Sequence, residues 1–96
     1  KMANFKIDGT VVYISGDISI SEGESLYNFL REIPFFKEEI TVDMKRVESW
    51  DTSSFQTFIS WMKSTEMSIK WKNIPEEMSS DLKITGLSTL FKGVQK

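Results

Sequence analysis

The 96 residues contain no cysteine and no histidine. Without cysteine there is no disulfide, no thiolate metal site and no thiol nucleophile. Without histidine the commonest general base and the usual nitrogen ligand of metals are gone. An enzyme could still run on carboxylates, Lys or Tyr, but the case for catalysis falls, and neither a metal nor a cofactor is expected. There is also no apolar run near the ~20 residues that a bilayer-spanning helix needs, so direct membrane insertion is not expected. No secretory signal is legible, and the compartment is read as cytosolic. No glycine-rich phosphate loop is present. Positive charge is not concentrated anywhere: 12 basic residues face 14 acidic ones, the net charge is −2, and the lysines are scattered from Lys1 to Lys96. A nucleic-acid groove depends on clustered positive charge, so nucleic acid is not an expected partner.

What is present is an ordinary folded chain. Hydrophobic residues make up 40% and charged residues 27%, which suits a globular domain. The length suits one domain, taken as residues 2–96 with Lys1 ahead of Met2 set aside. A chain of this size buries roughly 60–65% of its unfolded surface, enough for one core without staples.

In chain order, Asn4 to Ile7 and Thr10 to Ser15 read as short strands, with Asp8-Gly9 between them as a hairpin turn. Gly16-Asp17 ends the second. Ser21 and Glu24 have capping-box spacing, and Leu26, Phe29, Leu30 and Ile33 form a helical stripe that Pro34 ends. Phe35 and Phe36 are expected to tuck under the sheet edge as core. Ile40, Val42 and Met44 alternate with polar residues as a third strand. Arg46 to Trp50 is read as the approach to a corner. A second helix runs from about Thr52 to Ser64, with Gln56, Ser60 and Lys63 facing solvent. Ser68 to Lys72 is a fourth strand, and Asn73-Ile74-Pro75 turns into a third helix with Met78 and Leu82 inside and Pro75 suited to its first turn. Gly86 stops it. Leu87, Leu90 and Phe91 suggest a short closing helix, and Val94 to Lys96 should fray. The order β-β-α-β-α-β-α-α implies a mixed sheet with parallel pairs and helical cover.

The stretch around which this order is built is Ile40 to Phe58. A strand feeds a helix through Asp51-Thr52-Ser53-Ser54. Phe55, Phe58, Ile59 and Met62 then recur at helical spacing. Asp51 suits the N-cap, because its oxygens can accept from the unpaired amides of the first turn. By itself this string describes a helix cap and nothing more. The second reading is a docking or modification site, since a phosphate there would meet free N–H groups and the positive end of the helix dipole. Trp61 falls off the apolar stripe and is expected to be half-buried or part of an interface.

Four places in the chain together resemble the STAS domain, the fold of bacterial anti-sigma factor antagonists and sulfate-transporter tails. They are Ile14-Ser15-Gly16-Asp17-Ile18; Val42-Asp43-Met44 with Val47 to Asp51; Ile69-Lys70-Trp71 through Ile74-Pro75; and Leu82 to Leu87 with Leu90-Phe91. The resemblance implies an α/β fold with a mixed β-sheet of four to five strands and helices mainly on one face. Matched residue by residue, it makes Ser53 the phosphoacceptor position, Asp51 the acidic residue of its loop and Asp17 that of the earlier loop. Ser54 stands where the family has glycine, a residue that lets a backbone or phosphate approach closely. Asp51-Thr52-Ser53 is also similar to the loop of small STAS subunits in Mla-type lipid ABC transporters, which docks on the ATPase.

The resemblance therefore implies a non-catalytic regulatory module with a protein partner. That partner is either an anti-sigma factor or serine kinase, with phosphorylation of Ser53 as the switch, or an ABC ATPase subunit that the chain accompanies as an accessory. The expected binding surface is Asp17, Trp50, Asp51, Thr52, Ser53 and Ser54, with Trp61 on the second helix. The enzyme reading would rest on Asp17 paired with Asp51, without a nucleophile, base and orienter set beside them.

Overall fold

The computed structural model describes residues 3–19, 23–33 and 39–91. Strand β1 (Asn4–Asp8) and strand β2 (Val11–Asp17) form an antiparallel hairpin. Helix α1 (Gly23–Arg31), strand β3 (Glu39–Ser49), helix α2 (Thr52–Ser64), strand β4 (Ser68–Lys72) and helix α3 (Glu76–Ile84) follow, and a 3₁₀ turn, Ser88–Phe91, closes the described chain. The sheet has four strands in the order β1-β2-β3-β4, with β2, β3 and β4 parallel.

One face of the sheet carries the core. The register sets Val12 beside Val42 and Val42 beside Trp71, and all three are at most 1% exposed. Ile14, Ile40 and Met44 extend this layer. Helix α2 lays Phe55, Phe58 and Ile59 on it, with Phe58 edge-on to Trp71 at 5.0 Å between ring centres. Phe91 of the closing turn stands 4.7 Å from Trp71 and completes the cluster. Helix α1 contributes Leu26 and Leu30, and its Phe29 stacks on Phe5 of β1 at 4.7 Å. Burying each large side chain of this kind is worth roughly 1.5–3 kcal/mol. The other face carries alternating polar residues, with Lys6, Tyr13, Asp43 and Lys72 in one row across the strands. The helices therefore lie mainly on one face, as the strand periodicity and helical stripes require.

Several elements differ from the sequence reading. The turn of the first hairpin is Gly9-Thr10, while Asp8 pairs with Val11 inside the ladder. Gly9 has φ +63°, which fits a two-residue loop with glycine first. Strand β3 does not end at Met44. It runs to Ser49, pairing Arg46, Val47 and Ser49 with Ser15, Gly16 and Asp17. Two register shifts each place an extra residue on β3, so Lys45 and Arg46 are both exposed and the alternation that marks a strand is broken there. Pro75 is the residue just before α3 rather than inside its first turn. The closing helix is a single 3₁₀ turn. The expectations for Ser21, Pro34, Phe35, Phe36 and Val94 to Lys96 lie outside the described residues.

Candidate functional site

Because β2 and β3 are parallel, their carboxyl ends meet at the same edge of the sheet. The loop after β2 and the corner after β3 are therefore neighbours. The ladder continues past the strands through Ile18 N–H donating to the Ser49 carbonyl at 2.9 Å. Asp17 shapes the first loop: its Oδ1 accepts from Ser19 N–H at 2.8 Å, a local turn that short acidic side chains favour. Gly16 has φ +85°, is buried, and lies opposite Val47 at the second register shift. A side chain there would meet the αL penalty of roughly 1–2 kcal/mol.

At the corner itself, Asp51 is the N-cap of α2. It has extended backbone, and its Oδ1 accepts from Ser54 N–H at 3.2 Å. The same oxygen accepts from the Ser53 hydroxyl at 2.5 Å. Ser54 returns the favour: its Oγ accepts from Asp51 N–H at 3.2 Å, closing a capping box. The Ser54 hydroxyl donates to the carbonyl of Ile18, across 36 positions of sequence. Thus the serine in the glycine position is a buried bolt between the two loops, 1% exposed. Its side chain is buried, unlike the other residues of the expected binding surface at this corner.

The remaining residues of that surface divide. Thr52 is exposed, and Ser53, Asp51, Asp17 and Trp50 are half-buried. The Trp50 indole N–H donates to Asp81 of α3 at 2.8 Å, so α3 fixes the flank of the corner. Trp61 is 5% exposed. It is neither half-buried nor on the free side of α2. Helix α1 packs against α2, and Trp61 shares a shallow groove with Tyr27, Leu30 and Arg31 of α1. It also sits about 12 Å along the helix from Ser53, at 1.5 Å per residue. The structure thus brings Asp17, Trp50, Asp51, Thr52 and Ser53 together and leaves Trp61 apart.

A further pin was not read from the sequence. Asp43 Oδ1 accepts from Lys45 N–H at 2.9 Å, and its Oδ2 accepts from the Asn73 amide at 3.2 Å. Asn73 has φ +58°, a conformation asparagine tolerates. Asp43 so joins the first bulge of β3 to the turn after β4. The Asp–Asn pair is separated by 30 positions, and only the αL-tolerant Asn before Pro75 hinted at it.

Chemically, the corner presents hydroxyls at the positive end of a 13-residue helix. Among the described residues no group of three or more acidic side chains is placed to hold a metal ion. No described helix is long and apolar enough to cross a membrane.

Neither a protein-family model nor a curated protein matches the sequence. Among solved structures, the chain is similar to an anti-sigma factor antagonist from Mycobacterium paratuberculosis, with a TM-score of 0.78 over 97% of this chain and 83% of that one. The two sequences are 14% identical, so what they share is the fold. Cores tolerate such divergence when volume and apolar pattern are kept. The chain has the STAS fold, the fold of an anti-sigma factor antagonist.

Proposed function

We propose that this chain is a non-catalytic regulatory module, residues 2–96 acting as one cytoplasmic domain, that binds a protein partner through the corner Trp50 to Ser53 and the adjoining Asp17 loop. The observation that carries the reading is the Ser53 hydroxyl, half-buried at the start of α2, 2.5 Å from Asp51 Oδ1. The fold of an anti-sigma factor antagonist supports a partner of the anti-sigma or serine-kinase class. Phosphorylation of Ser53 adds about −1.5 to −2 charge and three acceptor oxygens. A partner must desolvate or accommodate that group, at a cost that readily exceeds the 1.4 kcal/mol of a tenfold change in affinity. One hydroxyl thereby switches an interface without a change of fold.

A second reading is favoured by Thr52, the exposed hydroxyl of the corner. An unmodified, rigid corner that leads with Thr52 suits fixed docking on an ABC ATPase, as an accessory subunit of a lipid transporter.

Mass spectrometry of the Val47–Lys63 tryptic peptide, taken from cells across growth conditions, separates the two. Phosphate on Ser53 that rises and falls supports the switch. A peptide that stays unmodified under every condition, in free and partner-bound protein alike, supports fixed docking and removes the switch.

A further inference from the structure

We propose that Ser54 is the latch of the docking surface: its hydroxyl joins the corner and the Asp17–Ser19 loop into one unit, and keeps them joined when negative charge at position 53 displaces the Asp51 carboxylate. The inference rests on the docking reading and deepens it by naming what holds the surface in shape.

The capping box has two halves, and different groups carry them. In the first half the Asp51 carboxylate accepts from Ser54 N–H at 3.2 Å, an amide that also donates to the Asp51 carbonyl at 3.0 Å. In the second, Ser54 Oγ accepts from Asp51 N–H at 3.2 Å and donates its proton to the Ile18 carbonyl. Only the first half is vulnerable to charge at position 53. Ser53 Oγ now donates to Asp51 Oδ1 at 2.5 Å. A phosphate on that oxygen removes the donor and sets an anion against a carboxylate. Like charges so close repel strongly, and the carboxylate leaves the Ser54 amide.

The second half does not depend on the carboxylate: Ser54 Oγ lies 3.4 Å from Asp51 Oδ1, but the Ile18 carbonyl is the nearer acceptor of its proton. Ser54 is 1% exposed, and Ile18 is fully buried and tied to Ser49 by its own amide. Water does not compete for these bonds, and a buried carbonyl that lost its donor would be left unpaired. The corner therefore keeps its distance from the Asp17–Ser19 loop while the charge on its rim changes. A partner would read a change of charge on a constant shape.

Amide hydrogen exchange, read by NMR on the free chain, tests this in the wild type and in Ser53→Asp, Ser54→Ala and the double variant. Ser53→Asp should speed exchange at the Ser54 amide by at most about tenfold, because the Asp51 carbonyl still accepts from it at 3.0 Å, and leave Ile18 close to wild type. The double variant should speed both sites by about tenfold or more, beyond the sum of the single changes. Opening of both loops in Ser53→Asp alone overturns the latch, as does an Ile18 amide that stays protected in the double variant. If circular dichroism shows that Ser54→Ala does not fold, the Ser53→Asp arm decides alone: Ile18 protected supports the latch, Ile18 exposed overturns it. No partner enters the measurement, so its failure is distinct from a failure of the docking reading, which partner binding tests.

Discussion

Asp51 does two things with one oxygen. Its Oδ1 satisfies the Ser54 amide and also holds the Ser53 hydroxyl, so the residue that starts the helix also sets the orientation of the candidate switch. Replacing Asp51 by Ala should lower stability by about 0.5–2 kcal/mol. Urea denaturation checks this, and an unchanged midpoint and slope would contradict it. The cap was legible in the sequence because a carboxylate stands directly before the first residues of an apolar helical stripe. The work of Ser54 was not legible, because its acceptor is the Ile18 carbonyl, 36 positions earlier, and no local pattern records such a pair. Trp61 was misread for a related reason. The stripe of Phe55, Phe58, Ile59 and Met62 marks the arc of α2 that meets the sheet, but α1 covers a second arc, and Trp61 lies there.

Among the elements, the Trp71 cluster carries the far side of the core. Trp71 is 1% exposed and touches the rings of Phe58 and Phe91. Trp71→Ala should cost about 3–5 kcal/mol, since the cavity between sheet, α2 and closing turn can relax only in part. Thermal unfolding followed by near-ultraviolet circular dichroism reads it, and a loss below ~1 kcal/mol would mean that the cluster is not packed as described. Helix α3 ends in a Schellman motif, with Gly86 N–H on the Lys83 carbonyl and Leu87 N–H on the Leu82 carbonyl. Gly86 has φ +76°, and a Cβ added there meets nothing within 4 Å. Gly86→Ala should therefore cost about 1–2 kcal/mol through backbone conformation alone; a neutral result would show that the end of α3 refolds. The stop at Gly86 was legible, and so was the order of strands and helices, because period and punctuation agree in each segment. The length of β3 was not. Its bulges put Lys45 and Arg46 side by side on the surface, where alternation would have placed one of them inside.

At the scale of the whole molecule, the parallel order of β2, β3 and β4 gathers three turns at one end of the sheet: the Asp17 loop, the Asp51 corner and the Asn73 turn. Each is held by a short side-chain bond to backbone or to a distant strand. At the opposite ends of these strands the described residues include one such bond, Met67 N–H donating to Thr65 Oγ1 at 3.3 Å. A rigid frame that presents hydroxyls at one rim suits a protein that is recognised, and the carboxylates there serve mainly to shape turns. The most direct measurement is titration calorimetry of a partner first purified from native lysate on the immobilised chain, titrated into wild type, Ser53→Asp, Ser53→Ala and Thr52→Arg, with circular dichroism to confirm folding. The switch reading predicts that Ser53→Asp binds at least about tenfold more weakly, a difference of about 1.4 kcal/mol, while Ser53→Ala still binds. Fixed docking predicts that Thr52→Arg abolishes binding. Wild-type affinity in all three variants would place the interface elsewhere on the molecule.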